Sequence, residues 1–394
     1  MGERKDDMKM HCGKAWTIAW LTALIMIMAM PALASMRITD EVNGNKLKLD
    51  VYGFSQFEIR GGDAFTAEGG PFFQAQRIRV GFNYFRGPVA GKLFLDFNQS
   101  HTSDEGGLPK MIKDAFVAYR FNNAASVRLG MIKTPLGMSF TVPGWNLDNV
   151  ERNGLDKGLV LERDFGLMVS GRLIGQESQP KDKWMKTNGL EMGAERQGYG
   201  FGYDAGVFNP AGRSSAVIWD KGVRGDALAY VGRVHYDYGK LFHIEAAGAL
   251  SQKAGGLDTT ATEDYKVFDV GAASEYQKFE FKGEFIYGMD IRGVKDWKQN
   301  CITLTGGYMV HPQVQVLVKH YQASSERPGK DTYSLGNTYI GANFYLAPVS
   351  GKARDLQRCK IVVNYILATG DKDEWAGLGG YKDDGYVVQW QYKF

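Results

Sequence analysis

Residues 385–394 read Gly-Tyr-Val-Val-Gln-Trp-Gln-Tyr-Lys-Phe. Tyr386, Val388, Trp390, Tyr392 and Phe394 fall on one phase, and Val387, Gln389, Gln391 and Lys393 on the other. A period of two, with an apolar and aromatic face against a mostly polar one, is a β-strand between two different solvents. The plainest alternative is a sandwich strand whose apolar face meets a second sheet. The rest of the chain decides between them.

Residues 1–34 carry a basic start (Arg4, Lys5, Lys9, Lys14), an apolar run from Ala15 to Met30, then Pro31 and the small residues Ala32 and Ala34 around Leu33. That order is a secretory signal peptide with cleavage expected after Ala34, the apolar run being too short for a retained transmembrane helix. Glu3, Asp6 and Asp7 are unusual in such a segment, and Met8 or Met10 would serve as an alternative start. Cys12 precedes the apolar run and is not placed as a lipid anchor. Export is therefore expected. In an exported chain the 385–394 stretch resembles the closing strand of a bacterial outer-membrane barrel, whose terminal Phe is read by the assembly machinery.

No second apolar run is long enough to cross a bilayer as a helix. Mean hydropathy is −0.30, yet 13% of residues are aromatic and 50 are glycine. A transmembrane β-barrel reconciles these values, because lumen residues dilute the hydropathy while alternate residues face lipid. Beyond residue 34 the balance is 43 basic to 41 acidic residues, which points to no nucleic-acid partner. Cys301 and Cys359 fall at opposite ends of the expected barrel, so two free thiols are expected.

Alternating segments bounded by Gly, Pro, Asn and Asp clusters recur at 47–60, 75–85, 89–99, 111–121, 126–132, 164–173, 200–209 and 226–237. They continue at 241–250, 264–277, 279–289, 300–310, 313–322, 335–346, 358–368 and 384–394. The expectation is an all-β, antiparallel transmembrane barrel of sixteen strands over 47–394, preceded by a short periplasmic segment, 35–46. A weaker stretch at 188–196 is set aside on parity, since both termini in the periplasm require an even count. Short connections at 86–88, 122–125, 238–240, 277–278 and 311–312 alternate with long ones, as periplasmic turns alternate with outer loops. Segments 174–199 and 347–357 break that rule. The longest outer loop, 133–163, is expected to fold inward and narrow the pore. Its charges are mixed: Lys133, Arg152, Lys157 and Arg163 against Asp148, Glu151, Asp156 and Glu162.

Strand phase sends Lys48, Asp50, Gln56, Glu58 and Arg60 inward from the first segment, and Arg77 and Arg79 from the second. The same reading lines the lumen with Lys92, Arg120, Arg128, Arg172, Arg233, Lys282, Lys319 and Lys360. Facing them are Asp96, Asp114, Asp204, Glu245, Asp269, Glu280 and Glu284. Cross-strand pairing is the plain role for each. Arg77, Arg79, Lys92, Arg120 and Arg128 together would make a basic wall that attracts anions. Phe94, Phe116 and Tyr345 share the lumen phase and are expected to pack under loops.

Other chemistry is thin. His101, His235, His243, His311 and His320 lack metal-ligand spacing, the covalent-haem signature is absent, and no Gly-x-Ser-x-Gly context appears. No catalysis, metal or cofactor is expected. Asp371, Asp373, Glu374, Asp383 and Asp384 form an acidic loop suited to solvent or to divalent bridges with lipopolysaccharide.

Lys113–Tyr119 (KDAFVAY) and Leu129–Gly137 (LGMIKTPLG), then Arg163–Gly166, Val207–Asn209, Gly232–Arg233, Tyr339–Leu346 and Asn364–Tyr365, resemble the phosphate-selective porins of the O and P type. The Gly-x-x-Lys-Thr-Pro block is the most specific part. The resemblance implies a sixteen-stranded, Gram-negative outer-membrane porin, commonly trimeric, among lipid and lipopolysaccharide, with a basic lumen and selectivity for small anions such as phosphate. Loop 133–163 departs in lacking a dense Arg and Lys cluster. A second reading makes the barrel the sheath of a conduit around multihaem cytochromes, with segments 174–199 and 347–357 as partner contacts.

Overall fold

The computed structural model describes residues 36–42, 45–99, 111–152, 158–174, 199–209, 227–239, 241–252, 262–346, 357–370 and 378–394. The expected signal peptide, Lys157, Asp156, the acids Asp371, Asp373 and Glu374, and most of 174–199 and 347–357 lie outside them. The strands are β1 (Met36–Val42), β2 (Asn45–Gly61), β3 (Phe72–Arg86), β4 (Val89–Asp96), β5 (Ile112–Arg120), β6 (Ser126–Lys133), β7 (Arg163–Arg172), β8 (Tyr199–Phe208) and β9 (Ala229–Tyr238). They continue as β10 (Phe242–Ser251), β11 (Tyr265–Tyr276), β12 (Phe279–Met289), β13 (Lys298–His311), β14 (Val314–Glu326), β15 (Tyr333–Tyr345), β16 (Cys359–Gly370) and β17 (Gly385–Lys393). Each of the sixteen alternating segments is a strand, with ends within four residues of the expected ones.

From β2 onward each strand pairs antiparallel with the next, and β17 returns to β2 in the register Tyr386↔Gly61 to Lys393↔Phe54. Phe394 extends that seam: its N–H donates to the Gly53 carbonyl at 3.0 Å, and Gly53 N–H donates to the Phe394 carbonyl at 3.2 Å. The result is a closed barrel of sixteen antiparallel strands. Closure gives every strand two partners, the condition for crossing a region without water.

β1 was not expected. β2 is 17 residues long and β17 only 9, so one edge of β2 below the seam would be bare. Residues 36–42 pair with 45–51 of β2 and cover that edge, satisfying backbone groups that β17 cannot reach.

Outward positions carry exposed apolar groups around the ring, among them Phe73, Val117, Leu129, Phe201, Val234, Ile244, Phe268, Phe281, Val318, Ile340 and Tyr365. An apolar surface of this extent belongs against lipid. Aromatic pairs Tyr119–Phe121, Tyr199–Tyr238, Phe201–Tyr236 and Phe279–Tyr308 crowd the short-turn end, forming an interfacial girdle. Among the described residues no helix is long and apolar enough to cross a membrane; the strands cross it.

The interior is partly filled. Leu136, Phe140, Leu159, Val160 and Leu161, from the connection between β6 and β7, pack on Ile132, Met168, Val231, Val267, Ile286 and Tyr321 of the inner wall, with Leu378 from the last long connection. Cys301 and Cys359 are buried and form no disulfide among the described residues.

Candidate functional site: the inward loop and its charged wall

The loop 134–162 leaves β6 through Pro135 and Gly137, where a positive φ of 84° turns the chain inward. A single helical turn, α1 (Met138–Thr141), follows. Gly137 N–H donates to Asp269 Oδ2 at 3.2 Å, and Ser139 N–H to Glu284 Oε2 at 3.1 Å, so acids of β11 and β12 absorb donors that the short helix cannot satisfy. Beyond α1 the backbone is held by side chains of the facing wall. Gln56 donates to the Gly144 carbonyl at 3.0 Å, Gln391 to Trp145 at 2.9 Å, Asn343 to Asp148 at 2.9 Å, Gln389 to Val150 at 3.0 Å and Lys319 to Glu151 at 3.1 Å. Val150 N–H donates to Asn364 Oδ1 at 3.0 Å, and Lys360 donates to the Leu147 carbonyl.

These anchors lie on β2 and β14–β17, whereas the loop departs from β6 and returns to β7. β14 is eight strands from β6 in a ring of sixteen, so the loop crosses the bore to the opposite wall. Its buried polar backbone is satisfied by amides and lysines in place of water. Trp145 wedges among Tyr52, Phe54 and Phe94, at centroid distances of 6.0, 5.3 and 6.2 Å, fulfilling for Phe94 the expected packing under a loop. The loop acids are engaged by wall groups: Asp148 by Lys282, and Glu151 by Arg60 at 3.3 Å and by Tyr381.

The inward-facing bases are more often partnered than bare. Arg79 pairs with Asp96 at 2.8 Å, Lys92 with Asp114 at 2.7 Å, Arg172 with Asp237 at 2.7 Å and Arg233 with Asp204 at 2.6 Å. Arg77 donates to Gln56 at 2.6 Å and lies with Arg79 under Gly144 of the loop. The basic wall expected from Arg77 and Arg79 is thus roofed over, because the loop lies against it. Lys319 is a loop anchor, its ammonium also 4.1 Å from the Tyr339 ring centroid. Arg120 bends to the turn after β5 and binds Asn123, which places it at the short-turn rim. Arg128 is buried over the Phe116 ring at 5.5 Å, with Nε and Nη2 lacking hydrogen-bond partners among the described residues.

The concentration of positive charge lies elsewhere. Lys133, Arg152 and Arg163 surround Phe140, with Nζ or guanidinium carbon 4.6, 5.9 and 5.9 Å from the ring centroid. Lys92 acts on the same cluster, and its facing acid is Asp114, which Lys92 and Arg163 share. Lys133 also donates to the Val142 carbonyl at 3.4 Å, and Arg152 to the Ser139 carbonyl at 3.1 Å. Three constriction-loop bases named from sequence therefore meet at one place; Lys157, the fourth, lies outside the described residues.

Of the amide anchors, strand phase sent Gln56 inward, whereas Asn343, Asn364, Gln389 and Gln391 were not singled out as lumen candidates by a reading that weighed charges. Their signal was present: Gln389 and Gln391 occupy the polar phase of the closing strand, and Asn343 and Asn364 the lumen phase of theirs. Buried amides on a lumen phase mark a wall that receives another backbone.

No family model matches the chain, and no curated protein matches it. Among solved structures it is similar to an anion-selective porin from Comamonas acidovorans, 15% identical, with a TM-score of 0.58 over 88% of this chain and 100% of that one. It is also similar to OmpF of Salmonella typhi in complex with daunomycin, 12% identical, TM-score 0.59, covering 91% and 100%. The in-vitro folded trimer form of OmpT, an outer membrane protein of Vibrio cholerae, is 12% identical, TM-score 0.55, covering 88% and 99%. The fold is that of the outer-membrane porins.

Proposed function

We propose that this protein is an outer-membrane channel through which small hydrophilic solutes diffuse, with a preference for small anions such as phosphate. The observation that carries the reading is the loop across the bore, which brings Lys133, Arg152 and Arg163 around Phe140 with Asp114 already shared. Such a cluster raises the local concentration of anions. Passage then needs no catalytic step and no cofactor. The anion-selective porin among the structural neighbours supports the same reading.

Export by the segment 1–34, residence among outer-membrane lipid and lipopolysaccharide, and assembly as a homotrimer belong to this proposal. A trimeric form is recorded for one neighbour. The sheath alternative fits less well, because a cytochrome needs a clear bore and this one is crossed by a loop hydrogen-bonded to seven strands, β2, β11, β12 and β14–β17.

The test is the zero-current potential of the purified, folded barrel in a planar bilayer across a KCl gradient, repeated with phosphate as competitor. Anion-selective current reduced by phosphate is expected. Cation selectivity, or no conductance from correctly folded barrels, would overturn the reading.

A further inference from the structure

We propose that His235, Asp237 and His243 form a binding site for a divalent transition-metal ion of the zinc type, on the lumen wall at the short-turn end of the β9–β10 hairpin. Sequence spacing hides this site, because it is assembled by register: Asp237 lies opposite His243, and His235 opposite Glu245. All four residues take the inward phase.

The candidate ligand atoms all lie within 4.8 Å of one another. His243 Nδ1 is 2.7 Å from Asp237 Oδ1, and His235 Nδ1 is 3.1 Å from Asp237 Oδ2. Ligand atoms on a tetrahedral zinc ion with bonds near 2.0–2.1 Å stand about 3.4 Å apart, so shifts of well under about 1 Å would admit the ion. Two imidazoles and one carboxylate, with a coordination position left open, suit a borderline-soft cation better than calcium or magnesium.

Outer groups are already oriented for this role. His243 Nε2 lies 3.1 Å from Glu245 Oε2, so with the ion on Nδ1 the remaining N–H donates to a carboxylate, the arrangement that fixes a metal-binding imidazole. Glu245 is itself near Arg233 Nη1 at 3.5 Å, and Arg172 holds Asp237 Oδ2 at 2.7 Å, leaving Oδ1 for the ion. Glu245 Oε1 is buried without a hydrogen-bond partner among the described residues, an orphan that a metal-bound water would satisfy. Gly202 makes room for the second imidazole: a Cβ there would lie 2.3 Å from His235 Nε2. His235 keeps partial exposure, which gives an ion a way in from the lumen.

The experiment uses the full chain, folded in detergent without a histidine tag and stripped with chelator. Zn²⁺ is titrated calorimetrically and Co²⁺ by visible absorption, with the heat-modifiable electrophoretic shift as the folding check. One equivalent of Zn²⁺ is expected per chain, with a tetrahedral Co²⁺ spectrum. His243→Gln and His235→Gln should abolish stoichiometric binding, Glu245→Gln should weaken it about 10- to 100-fold, and His311→Gln should leave it intact. Absence of saturable binding by the folded wild type, or binding unchanged in His243→Gln, overturns the proposal. If the variants fail to fold, the wild-type Co²⁺ spectrum decides: tetrahedral absorption supports the site, and an octahedral or absent signal refutes it.

Discussion

Replacing Lys133 by Met removes one positive charge while retaining an unbranched apolar stem against Phe140. Lys133 Nζ lies 4.6 Å from the Phe140 centroid, with the Arg152 and Arg163 guanidinium carbons at 5.9 Å, and the working case is an anion that passes about 6 Å from the Lys133 charge. At an effective dielectric constant near 20, a pair at that distance interacts by about 2.8 kcal/mol. Screening with a Debye length near 8 Å at physiological salt roughly halves this, to about 1.3 kcal/mol, or about tenfold in local anion concentration. An ion meets the cluster over only part of its path, so the chloride-to-potassium permeability ratio should fall about three- to tenfold. Reversal potentials of wild type and Lys133→Met in planar bilayers measure this directly. The shift should shrink in 1 M salt, where the Debye length is about 3 Å. A folded variant whose ratio stays within about twofold of wild type, or whose shift is independent of salt, would refute the assignment of selectivity to this cluster.

The loop anchors make a second prediction. Lys319→Met with Asn343→Ala removes two bonds to the loop backbone, together about 3 kcal/mol of anchoring, and should turn steady single-channel current into flickering current of larger amplitude. Unaltered noise would show that the remaining amides suffice. Gly53→Val tests the seam: a Cβ at Gly53 would stand 2.4 Å from Phe394 Cζ and 2.5 Å from the Arg79 carbonyl oxygen, so the yield of heat-modifiable barrel should collapse. Wild-type yield would mean that the seam adapts. Cys301 and Cys359 should resist maleimide in the folded protein and both react after denaturation, without reductant. Cross-linking in native membranes should give a three-chain limit species, and a monomer limit would remove the trimer from the proposal.

The barrel was legible because a strand between lipid and lumen must alternate, and sixteen alternating segments separated by turn residues leave little freedom in pairing order. The seam was legible for the same reason, since the 385–394 stretch carries its two faces openly. β1 was not, because its role depends on the length mismatch between β2 and β17. Phase could not show which acid Arg79, Lys92, Arg172 and Arg233 would each meet. A charge on a strand is a local property; its neutralisation depends on two neighbouring strands and on any loop folded over them.

Alternation in the chain was enough for the sixteen strands of the barrel wall, because each follows from a period of two along a single segment. Tertiary structure decided the path of the described loop residues 134–152, the covering of Arg77 and Arg79 by them, the gathering of Lys133, Arg152 and Arg163 around Phe140, and the meeting of His235 with His243. Each depends on register and on contacts across the bore, between groups far apart in the chain, and no local pattern encodes those distances.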